Sequence, residues 1–195
     1  GGTAITDILT GKVSPSGRLP ISIEKDMKDN PCDGNYYQNT KEKECRTVEY
    51  REGLFTGYRG FDRNGKQPLF PFGFGLSYTT FQYSNIKATA NTDKTVSLSF
   101  NIKNTGKRAA ADVAQIYVSD NESSVVRPKK ELKGYEKIYL KPGEQRTVSI
   151  TLPKRAFMYY DVIAHDWQLE PGKFTITVAR SAADADVQLK QEITL

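Results

Sequence analysis

The chain is poor in the residues that carry metal and nucleophilic chemistry. Its 195 residues hold one histidine, two cysteines and one tryptophan. Cys32, Cys45 and the distant His165 cannot together close a tetrahedral zinc site, so no metal and no cofactor is expected. A catalytic thiol needs a base beside it, and neither cysteine has one nearby in sequence. No apolar run approaches the roughly 20 residues of a membrane-crossing helix, and no export leader stands at the N-terminus. Charge of a single sign is also missing. The formal net charge is +5, from 28 basic and 23 acidic residues interleaved along the chain. Even the densest runs, Lys41-Glu42-Lys43-Glu44-Cys45-Arg46 and Arg127-Pro128-Lys129-Lys130-Glu131-Leu132-Lys133, mix both signs. A nucleic-acid footprint would be a basic stripe or helix. The expected surface is therefore solvated and mixed, with neither a nucleic acid nor a membrane as partner. An initiator methionine is absent too. The chain opens on Gly1-Gly2 and reads as a piece of something longer, or as a processed or tag-cleaved product.

A hydrophobic fraction of 37% suffices for a core, and 11 tyrosines with 9 phenylalanines suit pleated sheet. Ala4, Ile5, Ile8 and Leu9 fall on one face of a short helix that Gly11 can cap. An isolated helix of this length would not persist in water, so it needs a surface to lie on. Pro15 and Gly17 turn the chain, and the alternation of Leu19, Ile21 and Ile23 predicts a half-buried strand. Residues 24–47 are polar and hold both cysteines. A Cys32–Cys45 disulfide closing this loop suits an exported protein, whereas two free thiols would suit a cytosolic one; the disulfide is the expectation. Leu54, Thr56 and Tyr58 alternate with Phe55, Gly57 and Arg59, which predicts a strand covered on both faces. Asp62-Arg63-Asn64-Gly65 then reads as a turn.

From Phe81 onward a period of two takes over. Val96, Leu98, Phe100 and Ile102 alternate without error against Ser97, Ser99, Asn101 and Lys103. Continuous or alternating strands follow at 113–118, 131–140, 147–152, 173–178 and 187–195, and 157–160 and 167–169 flank a short loop. Seven or eight short strands in about a hundred residues is the pattern of an immunoglobulin-like antiparallel β-sandwich of the fibronectin type III kind, which needs no bridging disulfide. Ile116, Val118, Val148, Ile150, Phe174, Ile176 and Val178 join the β-strand residues Val96 to Ile102 in the expected core. A one-residue slip would bury serine, threonine and lysine instead. Trp167 is expected in that core rather than stacked on a sugar. His165 reads as plain surface, and Asn121-Glu122-Ser123 is a glycosylation sequon only in a host that glycosylates.

Between these halves stands Phe70-Pro71-Phe72-Gly73-Phe74-Gly75-Leu76-Ser77-Tyr78-Thr79-Thr80-Phe81. Proline and glycine among aromatics suit neither a helix nor a central strand, so the stretch is expected to be an irregular connector with its rings pinned into a groove. It resembles the F-P-F-G-[YF]-G-L-S-Y-T-T-F signature of family 3 glycoside hydrolases, the β-glucosidase and β-xylosidase family. Pro15-Ser16-Gly17-Arg18-Leu19-Pro20 resembles that family's N-P-S-G-R-L-P, with Ser14 in place of its asparagine. The segment 50–62 resembles its Y-x-E-G-[IL]-[FY]-V-G-Y-R-x-[YF]-D, with Thr56 in place of valine. Asn104-Thr105-Gly106, Pro128-Lys129-Lys130-Glu131-Leu132-Lys133-Gly134 and Trp167-Gln168-Leu169-Glu170-Pro171-Gly172 also have counterparts, so the resemblance covers essentially the whole chain.

The resemblance implies a division into residues 1–68, the end of an α/β sandwich domain; residues 69–80, a connector; and residues 81–195, a fibronectin type III-like domain. It implies the C-terminal portion of a retaining β-glycosidase acting on β-linked glucosides or xylosides, secreted or periplasmic. The partners are then the upstream catalytic domains and their carbohydrate substrate. It places the nucleophilic aspartate in an N-terminal barrel and the acid–base glutamate upstream of Gly1. No catalytic residue is therefore assigned here, and the substrate-binding residues are left unassigned. Glu52 and Asp62 look like a carboxylate pair but are expected to pin arginines or backbone donors, and Arg18 is expected to be structural rather than a ligand contact. The competing expectation is a free-standing fibronectin III-like module for adhesion or carbohydrate binding. Against it, residues 1–80 would leave apolar surface that something must cover.

Overall fold

The computed structural model describes residues 1–35 and 50–195. Among the described residues nine strands dominate: β1 (Phe81–Ala90), β2 (Val96–Asn104), β3 (Ala110–Asp120), β4 (Glu131–Leu140), β5 (Gln145–Leu152), β6 (Tyr159–Asp161), β7 (Asp166–Gln168), β8 (Lys173–Ala179) and β9 (Val187–Thr194). They form a three-stranded sheet in the order β1-β2-β5, a four-stranded sheet in the order β4-β3-β8-β9, and the small hairpin β6-β7. Every pairing is antiparallel. Two such sheets packed face to face make a β-sandwich, with the fourth strand beside the third.

The alternation in β2 sets the register. Val96, Phe100 and Ile102 are fully buried and Leu98 is nearly so, while Ser97 is exposed and Ser99 and Asn101 lie half-buried on the outer face. Leu98 lies opposite Ile150 and Phe100 opposite Val148 across the β2–β5 pair. Ile116, Val118, Phe174, Ile176 and Val178 close the core from the other sheet, and Ile150 packs at its edge. The turn after β2 is held by Asn104. Its buried amide accepts from the Thr79 hydroxyl at 2.7 Å and from the Gly106 N–H at 3.1 Å, and donates to the carbonyls of Arg108 and Leu140 at 2.7 and 3.0 Å. All four of its hydrogen-bonding positions are used, which is what makes a buried amide tolerable.

Before the sandwich the chain is less regular. Helix α1 (Gly2–Leu9) buries none of its residues, and Gly11 follows it with φ 74°. It is tied down at its C-terminal end, where the Tyr78 hydroxyl donates to the Ile8 carbonyl at 2.9 Å and Arg108 donates to the Gly11 carbonyl at 2.6 Å. The expected strand over Leu19, Ile21 and Ile23 is reduced to one bridge between Ile23 and Phe70. The two segments do run antiparallel, since Leu19 N–H donates to the Phe74 carbonyl and Gly73 N–H to the Leu19 carbonyl, at 2.9 and 2.8 Å. Pro20 and Pro71 lack the donors that would join these contacts into a ladder.

The expected strand through Tyr58 is a helix. Residues 51–54 form a turn, and α2 (Tyr58–Asn64) follows. Gly57, at φ 55°, starts α2 and Gly65, at φ 63°, ends it in the left-handed conformation that favours glycine. Tyr58 and Phe61, three apart, share one helix face, and that period wins over the apparent alternation. Trp167 is a further correction. It lies outside the main core, half-buried on the β6-β7 hairpin, with Arg155 stacked 3.8 Å from its ring centroid and Tyr160 edge-on at 5.6 Å. Its indole needs an apolar neighbour and a cation–π partner, and this hairpin supplies both without the core.

Replacing Phe100 with alanine should cost about 3–5 kcal/mol, because a fully buried ring leaves a cavity. Ser99→Ala on the outer face of the same strand should stay within about 0.5 kcal/mol. Urea unfolding of the two variants measures the difference, and equal effects would mean the register is wrong.

Candidate functional site

The chemistry-bearing side chains of this chain gather at one place, the seam where residues 1–80 lie on the four-stranded sheet. Three clusters build it. The first centres on Asp112, on the inward-facing row of β3 and fully buried. Its carboxylate pairs with Arg18, accepts from the Tyr83 hydroxyl at 3.0 Å and faces Arg180 Nε at 3.2 Å. Arg18 also donates to the Gly75 carbonyl at 3.1 Å. Arg18 is thus the structural arginine the sequence suggested, reaching from the first segment into the mouth of the sandwich. Burial pushes the Tyr83 phenol well above its ordinary range, and the Asp112 charge adds to this.

The second cluster seats the connector. Gln115, on the outer row of β3, donates to the carbonyls of Gly73 at 3.1 Å and Arg180 at 2.6 Å and accepts from the Tyr117 hydroxyl at 2.7 Å. Ala182 N–H donates to the Phe72 carbonyl at 2.8 Å. The Phe72 ring lies 5.1 Å from Tyr58, which meets Tyr117 edge-on at 5.9 Å and accepts from the Leu132 N–H at 2.9 Å. Phe72 is therefore pinned as expected, while Leu69, Leu76 and Tyr78 of the same stretch stay exposed.

The third cluster docks α2 on the start of β4. The buried Lys130 reaches Asp62 at 3.0 Å and Asp184 at 3.2 Å, and Asp184 also takes Lys129 at 2.8 Å. Glu131 sits among Arg127 at 3.2 Å, Lys133 at 3.3 Å and Arg59 at 3.4 Å, and Arg127 also holds Asp120 at 2.9 Å. Burial raises the Asp62 carboxyl, with Lys130 working against it. The hydrogen bond from Lys129 holds Asp184 below its ordinary value. Burial alone would raise Glu131, but Lys133, Arg127 and Arg59 outweigh it and leave its carboxyl lowered.

Glu52 and Asp62 are not brought together as a working pair. Glu52 accepts from Asn35 at 2.6 Å, and Asp62 belongs to Lys130 rather than to an arginine. Asp62 and Asp184 do show the split of raised and lowered carboxyls found in acid–nucleophile pairs. Both close on the same ammonium, however, which takes the space a scissile bond would need between them. His165 is exposed at the tip of the β6-β7 hairpin with φ 53°. Asn121 is exposed, its amide donating to Thr175 at 3.0 Å. Cys32 is a half-buried thiol, raised by burial and by Glu52. Its expected partner Cys45 lies outside the described residues.

Sequence reasoning missed Asp112, Gln115, Lys130 and Arg180. Asp112 had a signal: a charge on a row otherwise made of Ala110, Ala114, Ile116 and Val118. Lys130 had none, because it sits in a mixed-charge run that reads as solvated surface.

Known proteins match this arrangement part by part. Residues 1–78 match the glycosyl hydrolase family 3 C-terminal domain, and residues 112–182 match a fibronectin type III-like domain. The chain is thus an antiparallel fibronectin-type sandwich carrying the end of a second domain. Taken together, the two matches make it similar to a C-terminal portion of the family 3 glycosyl hydrolases. It is 46% identical over 195 residues to the thermostable beta-glucosidase B of Acetivibrio thermocellus, covering 98% of this chain and 25% of that protein. It is 42% identical over 188 residues to beta-glucosidase BoGH3A of Bacteroides ovatus, covering 94% of this chain and 25% of the relative. The crystal structure of the Bifidobacterium adolescentis GH3 beta-glucosidase superposes with a TM-score of 0.92 at 37% identity, over 100% of this chain and 28% of that one. The chain spans about a quarter of the length of the curated relatives it matches.

Two outcomes follow from the seam. Gly73 has φ 80°, and a Cβ there would overlap the Gln115 carboxamide. Gly73→Ala should cost more than about 1 kcal/mol from backbone strain alone. In a double-mutant cycle with Gln115→Ala only the overlap part should be recovered, as read from chemical denaturation. Glu131→Gln should lower stability by roughly 1–3 kcal/mol at neutral pH. A carboxyl lowered by folding contributes stability above its unfolded pKa of about 4.3 and loses it as the pH falls through the folded value. Wild type and variant should therefore converge as acid protonates Glu131, and a gap that persists undiminished into acid contradicts this role for Glu131.

Proposed function

We propose that this chain is the C-terminal support of a retaining β-glycosidase acting on β-linked glucosides or xylosides. In that chemistry one carboxylate attacks the anomeric carbon while a second protonates the leaving oxygen and later activates water. Both carboxylates come from chain upstream of Gly1, and residues 1–195 hold those upstream domains in place. The division into 1–68, 69–80 and 81–195 belongs to this reading, the first part completing an α/β domain.

The observation that carries it is the exposure of large apolar side chains in the first part and the connector. Ile5, Leu9, Ile21 and Leu54 of the first part and Leu76 of the connector are 60%, 78%, 59%, 56% and 68% exposed, and α1 buries none of its residues. A short helix with no buried face needs a surface to lie on. That the relatives are beta-glucosidases four times as long supports giving the uncovered face to the remainder of such an enzyme. The same reading makes the protein exported, to the periplasm or the outside of the cell, with Cys32 and Cys45 bonded.

The purified 195-residue chain should not hydrolyse a chromogenic aryl β-glucoside above background, while the full-length polypeptide that contains it should. Turnover by the chain alone that disappears on neutralising Glu52 and Asp62 would place the catalytic pair here instead. Titration of the unfolded, unreduced protein should find no free thiol, and two thiols would remove both the bridge and the argument for export.

A further inference from the structure

A sandwich meets other chains most readily at its edge strands, where backbone groups lack a partner. This chain closes one of its edges itself. Gln191 reaches from β9 to β1, where its carboxamide accepts from the Ala88 N–H at 2.7 Å and donates to the Ala88 carbonyl at 2.9 Å. That amide stands where a further strand would pair. A register shift between Ser84 and Lys87, with Asn85 at φ 56°, bends the same edge. Strand β4 is treated otherwise. It is the outermost strand of the four-stranded sheet and pairs only with β3. The Tyr58 hydroxyl takes the Leu132 N–H at 2.9 Å, and Asn104 takes the Leu140 carbonyl at 3.0 Å. Between these two, residues 133–139 have no backbone partner besides β3 among the described residues. We propose that this edge pairs antiparallel with the same edge of a second copy of the chain. The inference rests on the sandwich and does not need the glycosidase reading.

Three observations select that partner. The first is exposure. Tyr135 and Tyr139 stand opposite Gln115 and Ala111 on the outer row of the sheet and are 69% and 57% exposed. Large rings left in water beside an unpaired backbone gain by lying against another strand. The open edge of the other sheet, β5, shows only Gln145, Thr147, Ser149 and Thr151 on its exposed row and has no such gain. The second is regularity. Beyond the irregularity at Lys133, residues 134–140 pair with residues 110–116 without a shift, so the free side of β4 is a straight ladder. The third is charge, which fixes the register. The outer row of β4 alternates Tyr135, Lys137 and Tyr139. A two-fold axis at Lys137 would set that lysine against its own copy, and an axis at Glu136 would set two glutamates together; both are repulsive. An axis at Ile138 sets Lys137 opposite the second copy's Tyr139, twice by symmetry, and no like charges meet. Each ammonium then lies within reach of a ring face. A lysine that guards the edge against other pairings thus selects this one.

The test is analytical ultracentrifugation of the 195-residue chain over a range of concentrations. One strand pair is a narrow interface, so the dimer should form with a dissociation constant on the order of 10–100 μM. Tyr139→Lys sets a lysine against the second copy's Lys137 and should weaken the dimer about tenfold or more. Adding Lys137→Glu to that variant puts opposite charges across both pairs and should bring the dimer back to within about threefold of the original. Both side chains are exposed, so these variants keep their fold, and recovery in the double variant separates edge pairing from damage to the chain. A chain that stays monomeric to about 500 μM overturns the proposal. So does a dimer that Tyr139→Lys leaves intact, or a double variant no tighter than the single one. A dimer lost on Leu9→Asp but not on Tyr139→Lys would assign the association to the uncovered helix α1 and overturn it too.

Discussion

One buried carboxylate governs how the two halves of this chain meet. Asp112 is fully enclosed, and an enclosed charge is tolerated only when its lone pairs are taken up. The partners come from three places: Arg18 from the first segment, Tyr83 from the facing sheet, and Arg180 from the end of β8. The acid and Arg18 are 94 residues apart in sequence. A well-packed apolar pair in such a position is often equally stable, but it does not fix orientation. A guanidinium divided between the Asp112 carboxylate and the Gly75 carbonyl does fix it, so the pair acts as a registration mark between the first segment and the sandwich.

The other contacts of the seam take their places from that registration. Once Arg18 is inserted, Leu19 N–H bonds the Phe74 carbonyl and Gly73 N–H the Leu19 carbonyl, the Gly73 carbonyl accepts from Gln115, and Phe72 lies on Tyr58. A face of the four-stranded sheet that would otherwise be wet becomes a second, smaller core around Tyr117, Ala179 and Ala182. This explains a feature of β3 that β2 lacks. Residues 114–118 are all buried, because one side faces the sandwich and the other faces the connector and α2. Antiparallel sheets can keep one face in water. Here the second face is covered by the connector and α2.

The sandwich was legible from the sequence because its signal is local. The strict alternation of β2, β5 and β8 names both the strands and the side that is buried, and each inward residue it named lies in or against the core. The first half was legible mainly through motif resemblance. Pattern alone misread it in two places, for different reasons. At Leu19 to Ile23 the alternation is real, but Pro20 and Pro71 remove the donors a ladder needs. At Tyr58 the alternation is an accident of a two-turn helix that glycines bracket. The seam was the least legible part. Gln115 and Lys130 gain their roles from residues 42 to 68 positions away, and no local period carries that. Asp112 alone announced itself, as a charge on an apolar row.

The double coverage of β3 has a consequence for the order in which the molecule can be assembled. A ribosome delivers residues 1–80 before any of β3 exists, so Phe72, Tyr58 and Arg18 wait for the sheet on which they lie. The sandwich must gather its strands across long separations, and pairings of that kind close slowly. Through that interval the connector's rings are exposed to other chains, where such surfaces invite association. Strand β9, made after the others, completes the sheet on whose outer face the connector rests. Residues made more than a hundred positions after the connector therefore help set when its aromatic surface leaves water.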